Sequence, residues 1–183
     1  TAWTDAWAQI RDHQFDLILG TQMIAKGLHL EKVTLVGVIS ADSGILQPDF
    51  RAAERTFSLL AQAAGRSGRG ETAGEVIIQT YQPGHYAIQF ATQHDFCGFY
   101  EREMRLRRAL RFPPVQRLIS LLVSSDSQEA ARAMSGRLGG LLRNLSRTER
   151  FESVAVLGPA PCAIERIRGR WRWRIVLRCP NSS

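Results

Sequence analysis

The chain of 183 residues carries 24 Lys and Arg against 17 Asp and Glu, a formal net charge of +7, with 44% hydrophobic and 22% charged residues. These are the proportions of an ordinary globular protein. No run approaches the roughly 18 apolar residues of a membrane helix and no signal-peptide pattern opens the chain, which argues against a membrane-bound or secreted protein and for a cytoplasmic one.

Trp3, Trp7 and Ile10 recur at helical spacing with Ala6 beside them, predicting an amphipathic helix over residues 2–12 whose tryptophans pack. Residues 15–19 form a short apolar run ending in Gly20, and residues 33–39 form a second. Both read as buried parallel strands. Pro48 and Asp49 open a long helix over residues 49–64, proline being tolerated in the first turn. Residues 75–80 are a third strand, and strands alternating with helices imply an α/β parallel sheet.

After Pro83 the pattern changes. Residues 84–93 and 95–110 are helical, and Pro113-Pro114 ends the second helix. Residues 118–123 are a strand. The helix over 127–145 carries an apolar stripe of Ala131, Met134, Leu138, Leu141, Leu142 and Leu145. Residues 154–157 and 164–167 are short strands, and 171–178 are the last strand, after a turn at Arg168-Gly169. The expected organisation is an α/β unit over 1–93, a helical connector over 94–114 and an α+β domain over 115–183. The chain opens on Thr1 instead of Met and closes on Asn181-Ser182-Ser183 directly after a strand, so it is read as a fragment.

Charge divides along the same line. Up to Gln93 there are 7 basic and 9 acidic residues; from His94 onward there are 17 arginines, no lysine and 8 acids. A basic second half suits a polyanionic partner, and arginine adds a planar fork that binds phosphate bidentately. An arginine-rich but merely soluble surface gives the same composition. Cys97, Cys162 and Cys179 form no CxxC, so no zinc site is encoded and the thiols fit a reducing compartment.

Four stretches bear on chemistry. Gly20-Thr21-Gln22-Met23-Ile24-Ala25-Lys26-Gly27 follows a predicted strand, where an open parallel sheet meets its ligands, although a plain strand-to-helix turn fits equally. Arg51, Arg55, Ser58, Gln62, Arg66 and Arg69 follow at helical steps as one polar ribbon, opposite a stripe of Ala53, Phe57, Leu60 and Ala64. The ribbon ends in Gln62-Ala63-Ala64-Gly65-Arg66-Ser67-Gly68-Arg69-Gly70, whose glycines break the helix. Arginines there either meet a transferring phosphoryl group or remain solvated. Residues 101–111 hold Arg102, Arg105, Arg107, Arg108 and Arg111 on a solvated or connecting helix, with Glu101 and Arg105 spaced as an ion pair. Finally, alternation along residues 170–178 sends Trp171, Trp173, Ile175 and Leu177 into a core and Arg170, Arg172, Arg174 and Arg178 outward, to contact phosphate or to solubilise. His13, His29, His85 and His94 show no metal spacing.

Taken together, the segment from Gly20 to Gly27 followed by Gln62-x-x-Gly65-Arg66-x-Gly68-Arg69 resembles motifs V and VI of superfamily 2 helicases. With Asp42, the run Asp49-Phe50-Arg51-Ala52-Ala53-Glu54-Arg55, the segment Gly74 to Thr80, Pro113-Pro114 and Gly169-Arg170-Trp171-Arg172-Trp173, the order resembles the C-terminal part of the PriA family of replication restart helicases. The resemblance implies a partial RecA-like second helicase lobe followed by a small α+β C-terminal domain that contacts DNA. It implies a parent enzyme that is an ATP-dependent 3′-to-5′ DNA helicase using ATP and Mg, restarting stalled forks and promoting primosome assembly. Expected partners are branched or forked DNA with single-stranded regions, primosome proteins and single-stranded DNA-binding protein. Arg66 and Arg69 stand in the catalytic positions, with Arg69 favoured as the finger and Gln62, Gly65 and Gly68 supporting the nucleotide cleft. Thr21, Gln22 and Lys26 touch DNA, as do Arg170, Arg172 and Arg174 in the second half.

The chain contains no GxxxxGK[ST] loop, no acidic Mg-holding motif and none of the family's zinc cysteines. It is therefore not expected to hydrolyse ATP, unwind DNA or bind zinc by itself. The rival readings are a DNA-binding or scaffold restart protein with an inactive motor, and another superfamily 2 DNA translocase.

Overall fold

The computed structural model describes residues 2–12, 14–21, 33–65 and 74–181. The chain divides into two compact units, Thr1–Glu103 and Met104–Ser183.

The first unit opens with helix α1 (Ala2–Arg11), as the tryptophan spacing predicts. Residues 15–19 are not a strand: Phe15, Leu17 and Leu19 are exposed and the segment has no ladder partner among the described residues. A buried strand needs neighbours for its backbone donors and acceptors as well as apolar side chains. The ladder observed is a parallel pair, β1 (Leu35–Val38) with β2 (Glu75–Ile78), in the register Leu35↔Glu75 to Val38↔Ile78. Both strands are half-buried, not buried through: Val38 and Ile78 pack on the core, while Leu35 and Ile77 are exposed on the other face.

A short helix, α2 (Asp42–Ile45), follows β1 and was not foreseen. The helix expected from residue 49 begins at Ala52 as α3 (Ala52–Ala64). Residues 49–51 instead form a turn in which Asp49 Oδ1 accepts the Arg51 N–H at 3.0 Å and its other oxygen meets Arg55 at 2.9 Å. Helices α4 (Tyr86–Thr92) and α5 (Phe96–Leu110) follow β2. The core is Ala41, Phe57, Leu60, Ala87, Ile88, Ala91 and Phe99. The rings of Phe57 and Phe99 stack with centroids 4.0 Å apart, and Tyr86 lies against Phe99 at 5.9 Å.

Two charges on α5 turn inward, against the solvated helix expected. Glu103 is buried and accepts the Tyr86 hydroxyl at 2.6 Å, and Arg107 is buried and donates to the Pro113 carbonyl at 3.0 Å. Glu101 and Arg105 form no ion pair despite their spacing, both being exposed where the gain from pairing is small.

The second unit is a three-stranded antiparallel sheet in the order β3-β5-β4, formed by β3 (Gln116–Ser125), β4 (Ala155–Ile167) and β5 (Arg170–Pro180). Helix α6 (Gln128–Leu145) packs on one face, capped where Ser127 Oγ accepts the Ala130 N–H at 3.3 Å. The two short strands expected over 154–167 are one strand, interrupted by register shifts between Leu157 and Ala160 and between Pro161 and Arg166. Arg168 and Gly169, with φ of 49° and 81°, make the left-handed two-residue turn that suits a twisted hairpin.

The apolar stripe of α6 also shifts. The buried line is Ala131, Ser135 and Gly139, whereas Met134, Leu141 and Leu145 are exposed. Small residues let the helix lie close to the sheet: a Cβ on Gly139 would come within 2.9 Å of Pro159.

Candidate functional site

Helix α3 carries the first half of the predicted site. Its buried side is Ala52, Thr56, Phe57, Leu60 and Ala63, so Arg51, Arg55, Ser58 and Gln62 form an exposed ribbon along the other. Two of its cations are engaged: Arg55 with Asp49, and Arg51 stacked 5.1 Å over the Phe50 ring. The helix ends at Gly65, whose N–H donates to the Ala61 carbonyl at 3.0 Å. Gly65 is the C-cap, so the helix ends where the glycine-rich segment begins, as expected, and its φ of −72° shows that it ends there without left-handed backbone. Arg66, Gly68 and Arg69 lie outside the described residues. So do Gln22 and Lys26; Thr21 is described and exposed. The structure therefore places Gln62 and Gly65 on the same helix end and leaves Thr21 without a hydrogen bond to either.

The ends of the parallel strands are pinned by Asp42. Its buried carboxylate accepts the Tyr81 N–H and the Thr80 hydroxyl, each at 3.0 Å. The Tyr81 backbone bond is the largest cause holding its pKa below the ordinary carboxylate value, outweighing the burial that pushes the other way. In the sequence Asp42 is one acid after an apolar run; the only signal was its place in the family pattern. A second polar cluster surrounds the start of α4. His85 Nδ1 accepts the Ala87 N–H at 3.2 Å as the helix cap, and the imidazole lies on the Tyr86 ring with centroids 4.7 Å apart. Burial lowers the His85 pKa, and the Glu103 carboxylate acts in the opposite direction.

In the second unit the alternation of β5 fixes two faces. Ile175 is fully buried beneath α6, which sends Arg172, Arg174 and Arg178 to the helix-free face. Their cross-strand neighbours on β3 are Ser124, Leu122 and Leu118. None of the three guanidiniums has an ion-pair or hydrogen-bond partner among the described residues, and Arg174 is exposed. Arg178 belongs with this set, although only Arg170, Arg172 and Arg174 were singled out from the sequence as DNA contacts. Arg170 differs, because its guanidinium meets Asp126 at 3.1 Å and donates to the Ser124 carbonyl at 3.0 Å. The tryptophans are half-buried on the opposite face, shallower than the core placement expected, and Arg166 covers the Trp171 ring at 5.4 Å.

Cations two residues apart on a strand stand roughly 7 Å from each other. Such a row, without a carboxylate partner among the described residues, can follow a phosphate backbone. No group of three His, Cys, Asp or Glu side chains able to hold a metal exists among the described residues, and these residues do not fit a zinc site. No helix among them is long and apolar enough to cross a membrane.

Residues 108–183 match the family model of the primosomal protein N C-terminal domain. The chain is 44% identical over 163 residues to the replication restart protein PriA of Bacillus subtilis (strain 168), covering 89% of this chain and 20% of that protein. It is 42% identical over 173 residues to that of Treponema pallidum (strain Nichols), covering 94% and 26%. With the Synechocystis protein of the same name it shares 40% identity over 173 residues, covering 94% and 20%. The chain thus spans about a fifth to a quarter of the length of the curated relatives it matches. Its residues 108–183 match the primosomal protein N C-terminal domain, and the chain as a whole is similar to proteins named replication restart protein PriA.

Proposed function

We propose that this chain is part of an ATP-dependent 3′-to-5′ DNA helicase that restarts stalled replication forks and promotes primosome assembly. The observation that carries this reading is similarity across 89% to 94% of the chain to proteins named for replication restart. The parallel pair β1–β2 with α3 packed beside it supports the first unit as part of a RecA-like second lobe.

Within that reading, Arg66 and Arg69 follow the exposed end of α3 and face nucleotide bound by the partner lobe of the parent protein. Their task is electrostatic: a guanidinium beside the γ-phosphate stabilises charge spreading over its oxygens as transfer proceeds. Gln62, Gly65 and Gly68 support that corner, and Thr21, Gln22 and Lys26 hold the tracked strand. ATP and Mg are bound by residues outside this chain. The helix-free face of the second unit grips forked DNA through Arg172, Arg174 and Arg178; primosome proteins and single-stranded DNA-binding protein act with the parent enzyme.

The test is DNA-stimulated ATP hydrolysis by the full-length protein. Arg69→Ala should lower turnover by about 10³-fold or more, the range for loss of an arginine finger, with Arg66→Ala as the comparison. Wild-type turnover in Arg69→Ala removes its assignment. A wild-type protein that binds forks without hydrolysing ATP favours the scaffold reading.

A further inference from the structure

The parallel pair of the first unit has two ends with different contents. Helix α3 returns the chain from the end of β1 toward the start of β2, as a parallel connection must, so Gln62 and Gly65 lie toward the end where the strands begin. The approach of Thr56, in the first half of α3, to Gly44 fits that direction. The opposite end, where β1 and β2 finish, is built from residues 39–42 and 79–82. An open parallel sheet meets its ligands there, beyond the carboxyl ends of its strands.

This end is fastened from within. Ala41 donates its N–H to the Gln79 carbonyl at 3.0 Å, and the buried Asp42 carboxylate accepts the Thr80 hydroxyl and the Tyr81 N–H. Thr80 Oγ1 in turn accepts the Gln82 N–H at 2.9 Å, and the Gln82 carbonyl accepts the His85 N–H at 3.0 Å. The backbone is therefore tied at Tyr81 itself and on both sides of it. Its ring is nevertheless 94% exposed, on a turn whose residues 81–84 are all exposed. A buried carboxylate thus fixes the base of a side chain that packing leaves outside. A tyrosine held in this way has only two torsions to order when it meets a ligand.

The surroundings select the ligand. Residues 76–84 carry no formal charge, and both oxygens of Asp42 are engaged internally. No cation stands on this segment to meet a phosphate. A nucleobase needs none, because its face stacks on an aromatic ring whatever the sequence. Ile39, at the same end, adds a 76% exposed apolar side chain. The base is not that of the bound nucleotide, whose corner lies toward the other end of the strands, where α3 finishes.

We infer that Tyr81 stacks on a base of the single strand that the parent enzyme tracks, its backbone held for that contact by Asp42. The inference rests on the helicase reading above and divides the work between the units: the first grips bases, the second phosphates.

The test is fluorescence anisotropy of the full-length protein, without nucleotide, on labelled oligothymidylate and on a strand of equal length made of abasic sites. Tyr81→Ala should weaken binding to oligothymidylate by about 5- to 150-fold, the effect of losing one stacked base. Its affinity for the abasic strand and its salt slope should match wild type, and Tyr81→Phe should bind oligothymidylate as wild type does. Wild-type affinity of Tyr81→Ala for oligothymidylate overturns the proposal. So does an equal loss on both strands, which marks a structural role, and so does a loss that Tyr81→Phe shares. A wild-type protein that binds neither strand overturns the helicase reading as well, which separates the two failures.

Discussion

Removing the helix-free arginine row should change how DNA binding responds to salt. Arg172, Arg174 and Arg178 present on one sheet face three guanidiniums without partners among the described residues. Each phosphate neutralised on a single strand contributes about −0.7 to the slope of log K against log salt, so three contacts contribute about −2. Between 50 and 200 mM salt, about −0.7 corresponds to a loss of about 2.6-fold per contact, or roughly 18-fold for all three. The assay is fluorescence anisotropy of a labelled single-stranded oligonucleotide with the full-length protein, titrated across that range without nucleotide. Arg172→Ala, Arg174→Ala and Arg178→Ala should each flatten the slope by about 0.7, and the triple variant by about 2. Arg170→Ala is the internal control: that guanidinium is occupied by Asp126 and the Ser124 carbonyl, so the slope should stay near wild type. A triple variant with the wild-type slope refutes the assignment of this face to phosphate.

Three further predictions concern the first unit. Burial favours the neutral form of His85, whose Nδ1 accepts the Ala87 N–H; because its folded pKa lies below the ordinary 6.5, its stabilising contribution is full above that value and is lost as pH falls through the folded one. Protection of the amides at the start of α4, taken relative to intrinsic exchange, should therefore weaken as pH falls below 6.5 and should lose that dependence in His85→Asn, which keeps a cap. Asp42 is also lowered, so its contribution is present above its unfolded value near 3.8 and disappears as pH falls through the folded one. Acid unfolding followed by circular dichroism should have a gentler dependence in that range in Asp42→Asn, at the cost of a lower midpoint at neutral pH. Gly44→Ala should destabilise by about 1–3 kcal/mol in urea unfolding, since its Cβ would stand 2.7 Å from Thr56 Oγ1. Adding Thr56→Ala should recover part of that loss, the coupling read from a double-mutant cycle.

Period-two and period-3.6 patterns made most elements legible, because one-sided burial imposes them directly. The fused β4 was harder to see: Gly158, Pro159 and Pro161 look like the end of a strand, whereas they interrupt its register without ending it. Residues 15–19 show the complementary failure, since an apolar run states what a segment could bury and not whether a ladder partner exists. On α6, Met134, Leu141 and Leu145 lie close in angle to the buried line, and periodicity cannot say which flank rests on the sheet. That choice follows from Ser135 and Gly139, whose small size permits close approach. Glu103 and Arg107 were hidden for another reason: their partners, the Tyr86 hydroxyl and the Pro113 carbonyl, are defined by folding of the chain on either side of α5.

The same distinction separates the two arginine sets in the candidate site. Both are evident in the sequence as regularly spaced cations, but spacing gives direction and not availability. On α3 the visible cations are neutralised or stacked locally, Arg55 by Asp49 and Arg51 over Phe50, so this ribbon supports its helix more than it invites a ligand. On β5 the neighbours across the ladder are Leu118, Leu122 and Ser124, none of which carries charge. Leu122, opposite Arg174, and Leu157, opposite Val176, are exposed on the same face. Apolar surface beside a cation displaces water from a bound phosphate and weakens dielectric screening, so each contact gains strength. The parity set by Ile175 provides that combination by turning Trp171 and Trp173 to the other face.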